Sequence, residues 1–118
     1  SSFVGSFFYS YKISTDTHYA ASTAYGTYNA DHATLAFDLS NVSNHGLGGE
    51  LRVQNPGGTT NIKTWQFVGS HITHDATPKM YSETLGGYFN NNAAINNVKF
   101  LMASGNITSG SIALWGMK

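Results

Sequence analysis

The sequence predicts an all-β protein, a jelly-roll-like β-sandwich of roughly six to eight antiparallel strands, with a small barrel as the competing architecture. Large apolar side chains recur at every second position in several segments, which is typical of strands. Turns rich in Gly and Asn separate these segments. No window shows a helical repeat with caps at both ends. The 118 residues have room for one domain, so we expect residues 1–118 to form a single β-sandwich, either complete or part of a longer chain.

The first predicted strand runs from Phe3 to Ile13, where odd positions carry large apolar or aromatic groups. Residues 14–31 contain several tyrosines among Ser, Thr, Ala and Asn and have no clean period. This segment is interpreted as a long loop, a twisted hairpin or an arm that reaches a neighbouring molecule. Long loops in compact domains are often functional.

The middle of the chain predicts further strands with turns between them. Alternation predicts strands at 35–39 and 50–54, and the turn Asn55-Pro56-Gly57-Gly58 follows from a proline that fixes its own backbone beside flexible glycines. The next strand begins near Lys63 and places Trp65 and Phe67 on one face, which predicts core positions for both. A weaker strand is predicted at 80–85.

The last two predicted strands, at 98–103 and 111–117, are apolar on both faces. In the final strand Ile112 and Leu114 share one face, and Ala113, Trp115 and Met117 share the other. We therefore expect one face to pack in the core and the other to pack on a second copy of the chain. The predicted oligomer interface comprises Leu101, Ala113, Trp115 and Met117.

Composition limits the classes of partner. Charged residues make up 10% of the chain, with six basic and six acidic side chains. Nucleic acids and anionic membranes are bound mainly by clustered Lys and Arg, so neither is expected as the principal partner, and no apolar run approaches the roughly 20 residues of a membrane span. A surface with so little charge favours association.

Catalytic and metal-binding patterns are weak. A glycosidase requires paired carboxylates; Asp38 and Glu50 lie on polar faces of neighbouring predicted strands, but two solvated acids are the simpler interpretation. His71 and His74 are three residues apart, which places them on opposite faces of a strand. With no cysteine in the chain, thiolate sites are excluded. We expect no enzyme activity, no metal and no cofactor.

Aromatic residues beside polar ones are the best candidates for ligand contacts. Sugar rings stack their C–H faces on aromatic side chains, while hydroxyls hydrogen-bond to nearby polar groups. Several tyrosines in predicted loops stand close to Asn, Asp or Glu in the sequence. The predicted carbohydrate-binding residues are Tyr25, Tyr28, Asp31, Tyr81 and Tyr88, with packing between subunits as the alternative role.

Three stretches, residues 36–42, 49–56 and 94–116, together resemble a known family. They include Ala36-Phe37-Asp38-Leu39-Ser40-Asn41-Val42 and the closing run Ser104-Gly105-Asn106-Ile107-Thr108-Ser109-Gly110-Ser111-Ile112-Ala113-Leu114-Trp115-Gly116. This pattern is similar to the C-terminal β-domains of bacteriophage tail fibre, tailspike and related virion proteins. The similarity covers roughly residues 33–118, and Trp115 stands where Tyr is commoner.

The resemblance implies a jelly-roll module on a virion appendage, usually a homotrimer. Residues 1–118 are then either the whole chain or the C-terminal fragment of a longer fibre or spike chain. Its expected role is recognition of a host cell-surface glycan or lipopolysaccharide, or trimerisation. A purely structural capping or capsid-decoration domain is the first alternative. A polysaccharide hydrolase is the second alternative, and a cellular lectin the third.

Overall fold

A computed structural model describes residues 3–12, 17–30, 32–74, 76 and 78–116 of the chain. For the second strand, and for part of the first, it describes the backbone alone. The described residues are all β and contain no helix. Consequently, they contain no helix long and apolar enough to cross a bilayer. Residues 1–2, 13–16, 31, 75, 77 and 117–118 lie outside the described residues. They include the predicted site residues Asp31 and Met117.

Five strands form one antiparallel sheet in the described part of the chain. They are β1 (Phe3–Lys12), β2 (Thr17–Ala30), β3 (Leu47–Val53), β4 (Lys63–Ile72) and β5 (Met80–Phe89). Their order in the sheet is β2-β1-β5-β4-β3, so the first strand pairs with the last. β1, β3, β4 and β5 confirm the strands that alternation predicts at these positions.

The segment without a clean period is a strand. β2 runs antiparallel to β1, with register shifts at Phe3/Val4 and between Gly5 and Phe7. Of the three interpretations of this segment, the twisted hairpin is therefore the one that fits. The irregular register explains why a strict period of two is missing, because each bulge offsets the alternation by one residue.

The core lies on one face of the sheet, which we call the inner face. Trp65, Phe67, Tyr81 and Leu85 are buried there, and the prediction that Trp65 and Phe67 are core residues is confirmed. Phe67 can lie flat on the sheet because Gly49 and Gly69 leave room: a Cβ at Gly49 would come within 2.5 Å of its ring. The partly buried side chains around this core are Phe3, Tyr9, Ala33, Leu35, Phe37, Leu51 and Val53.

The predicted strand at 35–39 is wrong, because this segment crosses the inner face as a loop. Its one ladder contact is an isolated bridge between Leu39 and Thr73. Phe37 packs edge-on against Tyr9 and Tyr81, with ring centroids 5.8 and 4.8 Å apart. The alternating apolar residues of this loop instead pack on the inner face of the sheet, with Leu35 and Phe37 against the core.

The strands predicted at 98–103 and 111–117 are also wrong for the residues that the structure describes. Residues 91–116 have no strand, and no ladder partner is described for them. The expected shelter of Trp115 inside its own fold is absent, since its side chain is 83% exposed. The six to eight strands of a sandwich are thus not reached: the described chain has one sheet, covered on its inner face by loops.

The molecule is elongated. Its radius of gyration is 15.3 Å, against about 13.5 Å for a compact domain of this length. The longest principal extent is 49 Å and the other two are 29 and 28 Å. An exposed C-terminal segment adjoining a small sheet is consistent with these dimensions.

Candidate functional site

A buried polar pair lies at the centre of the inner face. His71 on β4 and Glu83 on β5 are directed to this face by the alternation that buries Phe67 and Leu85. Nδ1 of His71 contacts Oε1 of Glu83, and both side chains are fully buried. The His71 ring stacks on Tyr81, with centroids 5.5 Å apart and planes 18° apart.

His71 is also hydrogen-bonded to the loop that crosses the inner face. Nε2 donates to the carbonyl oxygen of Phe37 at 2.8 Å, since a carbonyl can only accept. Nδ1 of His71 and both carboxylate oxygens of Glu83 have no hydrogen-bond partner among the described residues. Through its Nε2 bond, His71 attaches the loop that carries Phe37 to the sheet.

Lys63 forms a second buried polar contact, at the other end of β4. Its ammonium group donates to the carbonyl oxygens of Gly58 at 2.5 Å, Asn61 at 3.1 Å and Asn92 at 2.7 Å. These acceptors belong to two separate loops, and a backbone bond from Ile95 to Pro56 joins the same loops. Lys63 therefore fixes the point at which the chain leaves β5 and enters the C-terminal segment.

The opposite face of the sheet, the outer face, is open and polar. Its exposed side chains on β3, β4 and β5 are Glu50, Arg52, Thr64, Gln66, Val68, Ser70, Met80, Ser82 and Thr84. Arg52 Nε donates to Glu50 Oε1 at 2.5 Å, and both side chains are about two-thirds exposed. A shallow open depression on this face is lined by Gly49, Glu50, Arg52, Gln66 and Val68. The ion pair leaves this surface close to neutral.

The C-terminal segment, residues 98–116, is the most apolar exposed part of the described chain. Every residue from 103 to 116 is exposed. Its exposed large apolar side chains are Val98, Phe100, Leu101, Ile107, Ile112, Leu114 and Trp115. Large exposed apolar patches are typical of interaction sites.

Three of the four predicted interface residues are exposed, and their role at an interface stays a prediction. Leu101 is 61% exposed and Trp115 83% exposed, and Ala113 is exposed as well. Met117 lies outside the described residues. The structure therefore leaves three of these side chains accessible to another molecule.

The predicted carbohydrate-binding residues are not brought together among the described side chains. Tyr81 is only 8% exposed and packs in the core, so its assignment as a surface sugar contact is wrong. Tyr88 is partly buried near the end of β5, opposite Val4 and Thr64. Tyr25 and Tyr28 belong to β2, where the backbone alone is described, and Asp31 lies outside the described residues.

The acidic and histidine candidates for chemistry are separated by the fold. Glu50 is engaged with Arg52, and Asp38 lies in the loop before the Leu39 bridge with a positive φ of 49°. His71 is buried, whereas His74 is exposed. Within the described ranges, no group of three or more His, Asp or Glu side chains could hold a metal ion.

The buried positions of Lys63, His71 and Glu83 were not predicted from the sequence. A signal was present, because alternation from Trp65 and Phe67 reaches Lys63 in one direction and His71 in the other. The same alternation through Tyr81 and Leu85 includes Glu83. Extending the apolar row across these polar residues would have placed all three on the inner face.

Comparisons with known proteins do not assign the chain to a family. No protein-family model matches it, and neither a curated protein nor a solved structure matches it.

Proposed function

We propose that this chain is a self-associating module of a bacteriophage appendage and that it forms a homotrimer. The module serves host-surface glycan recognition, trimerisation or both. The observation that carries this proposal is the exposed apolar C-terminal segment, which includes the closing motif that resembles tail fibre and tailspike domains. Full burial of a Leu, Ile or Phe side chain contributes about 1.5–3 kcal/mol. Seven exposed large apolar side chains in this segment provide a strong drive to associate.

Self-association also accounts for the missing second layer of the expected sandwich. A sheet normally packs its apolar face on another layer, and loops alone cover the inner face of the described sheet. We propose that segments of neighbouring copies complete the jelly-roll-like sandwich of six to eight strands. The finished β-sandwich is then a property of the assembly.

Self-association is tested by light scattering and analytical ultracentrifugation of the full chain. We expect a mass about three times the 12.7 kDa of one chain. Trp115→Asp should shift the protein to the monomer, because it places a charge within the apolar segment. Thr84→Asp, which adds the same charge to the exposed outer face, is the matched control and should not. A stable monomer of the unaltered chain would contradict the proposal.

Glycan binding is the second part of the proposal, and the partly exposed ring of Tyr88 beside polar outer-face residues such as Thr64 favours it. A glycan array probed with the unaltered chain and with Tyr88→Ala tests this role. We expect binding by the unaltered chain, a loss with Tyr88→Ala and no change with the control Ser82→Ala. If no glycan binds, the domain acts as a structural cap or capsid decoration.

A hydrolase is the weaker alternative. The carboxylate of Glu50 is engaged with Arg52, and Asp38 lies outside the strands. Turnover of capsule or lipopolysaccharide that Glu50→Gln or Asp38→Asn abolishes would favour the hydrolase over a binding module.

A further inference from the structure

The strand β3 forms one edge of the sheet. In the described part of the chain it pairs with β4 and with no other strand. The amide of Gln54, the residue after β3, donates to the carbonyl of Thr64 at 3.0 Å. Antiparallel ladders alternate, so the main-chain N–H and C=O groups of Leu51 and Val53 point away from β4. Such an edge is a template for another strand.

The side chains of β3 define what kind of strand fits this edge. On the inner side the edge is apolar, with Leu51 and Val53 packed on the core cluster. On the outer side it presents the Glu50–Arg52 ion pair beside the half-exposed Val68. An added strand therefore needs aliphatic residues on one face, and on the other a side chain that can cover both apolar and charged groups.

Residues Ser111–Gly116 have this pattern. Ile112 and Leu114 provide the aliphatic face, and Ala113 and Trp115 provide the other. A six-residue strand spans about 20 Å, and the seven residues of β3 span about 24 Å, so the lengths match. Gly110 precedes the segment with φ of 150°, a backbone conformation that lets the chain change direction before it pairs.

We propose that Ser111–Gly116 of one copy adds as an antiparallel strand to the β3 edge of a second copy, with Ala113 opposite Arg52. In this register Ile112 lies beside Val53 and Leu114 beside Leu51. The indole of Trp115 then covers the outer-face depression, where it can stack on the Arg52 guanidinium. This inference rests on the proposed self-association and names the surfaces that meet.

The area available is appropriate for a stable contact. Trp115, 83% exposed, can bury on the order of 150–200 Å², whereas a standard interface buries roughly 800 Å² per partner. Ile112 and Leu114, 69% and 92% exposed, add to this area, and main-chain bonds along β3 strengthen the contact. Each chain donates one segment and accepts one, so a closed ring such as a trimer uses every segment and every edge.

Disulfide trapping between two single-cysteine variants tests this pairing, because the chain has no cysteine of its own. One sample carries Arg52→Cys and the other Ala113→Cys, and the two are mixed and oxidised. We expect a disulfide-linked heterodimer. The control mixture replaces Arg52→Cys by Thr84→Cys, which is exposed on the same outer face but on a central strand.

The Arg52→Cys mixture should give about tenfold more heterodimer than the control, because a disulfide requires Cα atoms within about 7 Å. Equal trapping at Thr84→Cys would overturn the choice of edge. A chain that carries both Arg52→Cys and Ala113→Cys should also form linked oligomers. An internal disulfide within its monomer instead would show that the segment pairs with its own sheet and would overturn the exchange between copies.

A second variant separates this inference from the self-association on which it rests. Leu114→Asp should dissociate the oligomer without altering the fold of the chain, because this side chain is 92% exposed. Ser109→Asp adds the same charge just before the paired residues and should leave the oligomer intact. An oligomer that survives Leu114→Asp and shows no Arg52→Cys trapping would overturn the edge contact while self-association stands. A monomeric unaltered chain would overturn both.

Discussion

The strand β4 and the C-terminal segment both have the period of two that predicts a strand, but only β4 is paired and buried. In β4, alternate side chains from Lys63 to His71 are buried or half-buried between β3 and β5. In the C-terminal segment, Ile112 and Leu114 alternate with Ala113 and Trp115, yet all four are exposed. The difference lies in the neighbours, because a strand is completed by hydrogen bonds to adjacent strands. Alternation describes the faces of a segment, and a partner decides whether it becomes a strand.

The largest expected effect comes from breaking the buried pair on the inner face. Glu83→Ala removes one member of a pair that is fully buried from solvent. It should lower the free energy of unfolding by about 3–5 kcal/mol. Urea denaturation followed by circular dichroism measures it. Glu50→Ala breaks the exposed ion pair with Arg52 and should cost no more than about 1 kcal/mol. Equal losses for the two variants would contradict the structural role given to Glu83.

The same substitution in the two regions sharpens the comparison directly. Leu85→Ala truncates a side chain that is 2% exposed and should cost about 2–5 kcal/mol in the free energy of unfolding. Leu114→Ala should change that of the isolated chain by no more than about 0.5 kcal/mol, and should weaken the oligomer instead. Dilution series in urea separate the two quantities. A destabilised monomer after Leu114→Ala would show that the segment packs on its own fold.

Lys63 lies at the junction between the two regions. Lys63→Met keeps the apolar stem but removes three donors to backbone carbonyls, and should cost about 1.5–3 kcal/mol. Hydrogen exchange at the Ile95 amide, which bonds to Pro56, should accelerate. Lys99→Met, at an exposed position, is the control and should leave both quantities unchanged. Unaltered exchange at Ile95 in Lys63→Met would remove Lys63 from this role.

The smallest expected effect concerns space beneath Phe67. Gly49→Ala places a methyl group against this ring and should cost about 1–3 kcal/mol. Gly48→Ala, one residue earlier in β3, meets nothing within 4 Å and should not lower stability. Thermal unfolding of the two variants provides the measurement. If both behave alike, the ring of Phe67 does not constrain this edge.

The sequence predicts the elements of the sheet well where apolar rows face a core. Four strands, the aromatic core positions and the turn at Asn55–Gly58, closed by a backbone bond of 3.1 Å, agree with the structure. The failures share one cause. The rows at 35–39, 98–103 and 111–117 resemble strands locally, but hydrogen-bond partners depend on contacts distant in sequence. In 35–39, the same row serves a loop that packs on the sheet.

The candidate sites were predictable to a lesser degree. Leu101 and Trp115 are exposed, so the expected shelter of Trp115 in its own fold is wrong, and the role of both residues at an interface stays a prediction. Tyr81 lies inside the strand predicted at 80–85, and because β5 pairs with strands on both sides, this side chain is buried in the core. Adjacent residues of a strand point to opposite faces. Tyr81 and Glu83 are two residues apart, so both point to the inner face and are buried there.

The two tryptophans of this chain lie in different environments, because Trp65 is buried and Trp115 is exposed to solvent. We therefore expect the fluorescence of the folded monomer to have two components. Trp65 should emit at shorter wavelength and resist soluble quenchers, and Trp115 should emit at longer wavelength and be quenched. Unfolding changes the first signal, and docking of a neighbouring molecule changes the second. One unlabelled sample thus reports folding and assembly through two emission components that differ in wavelength.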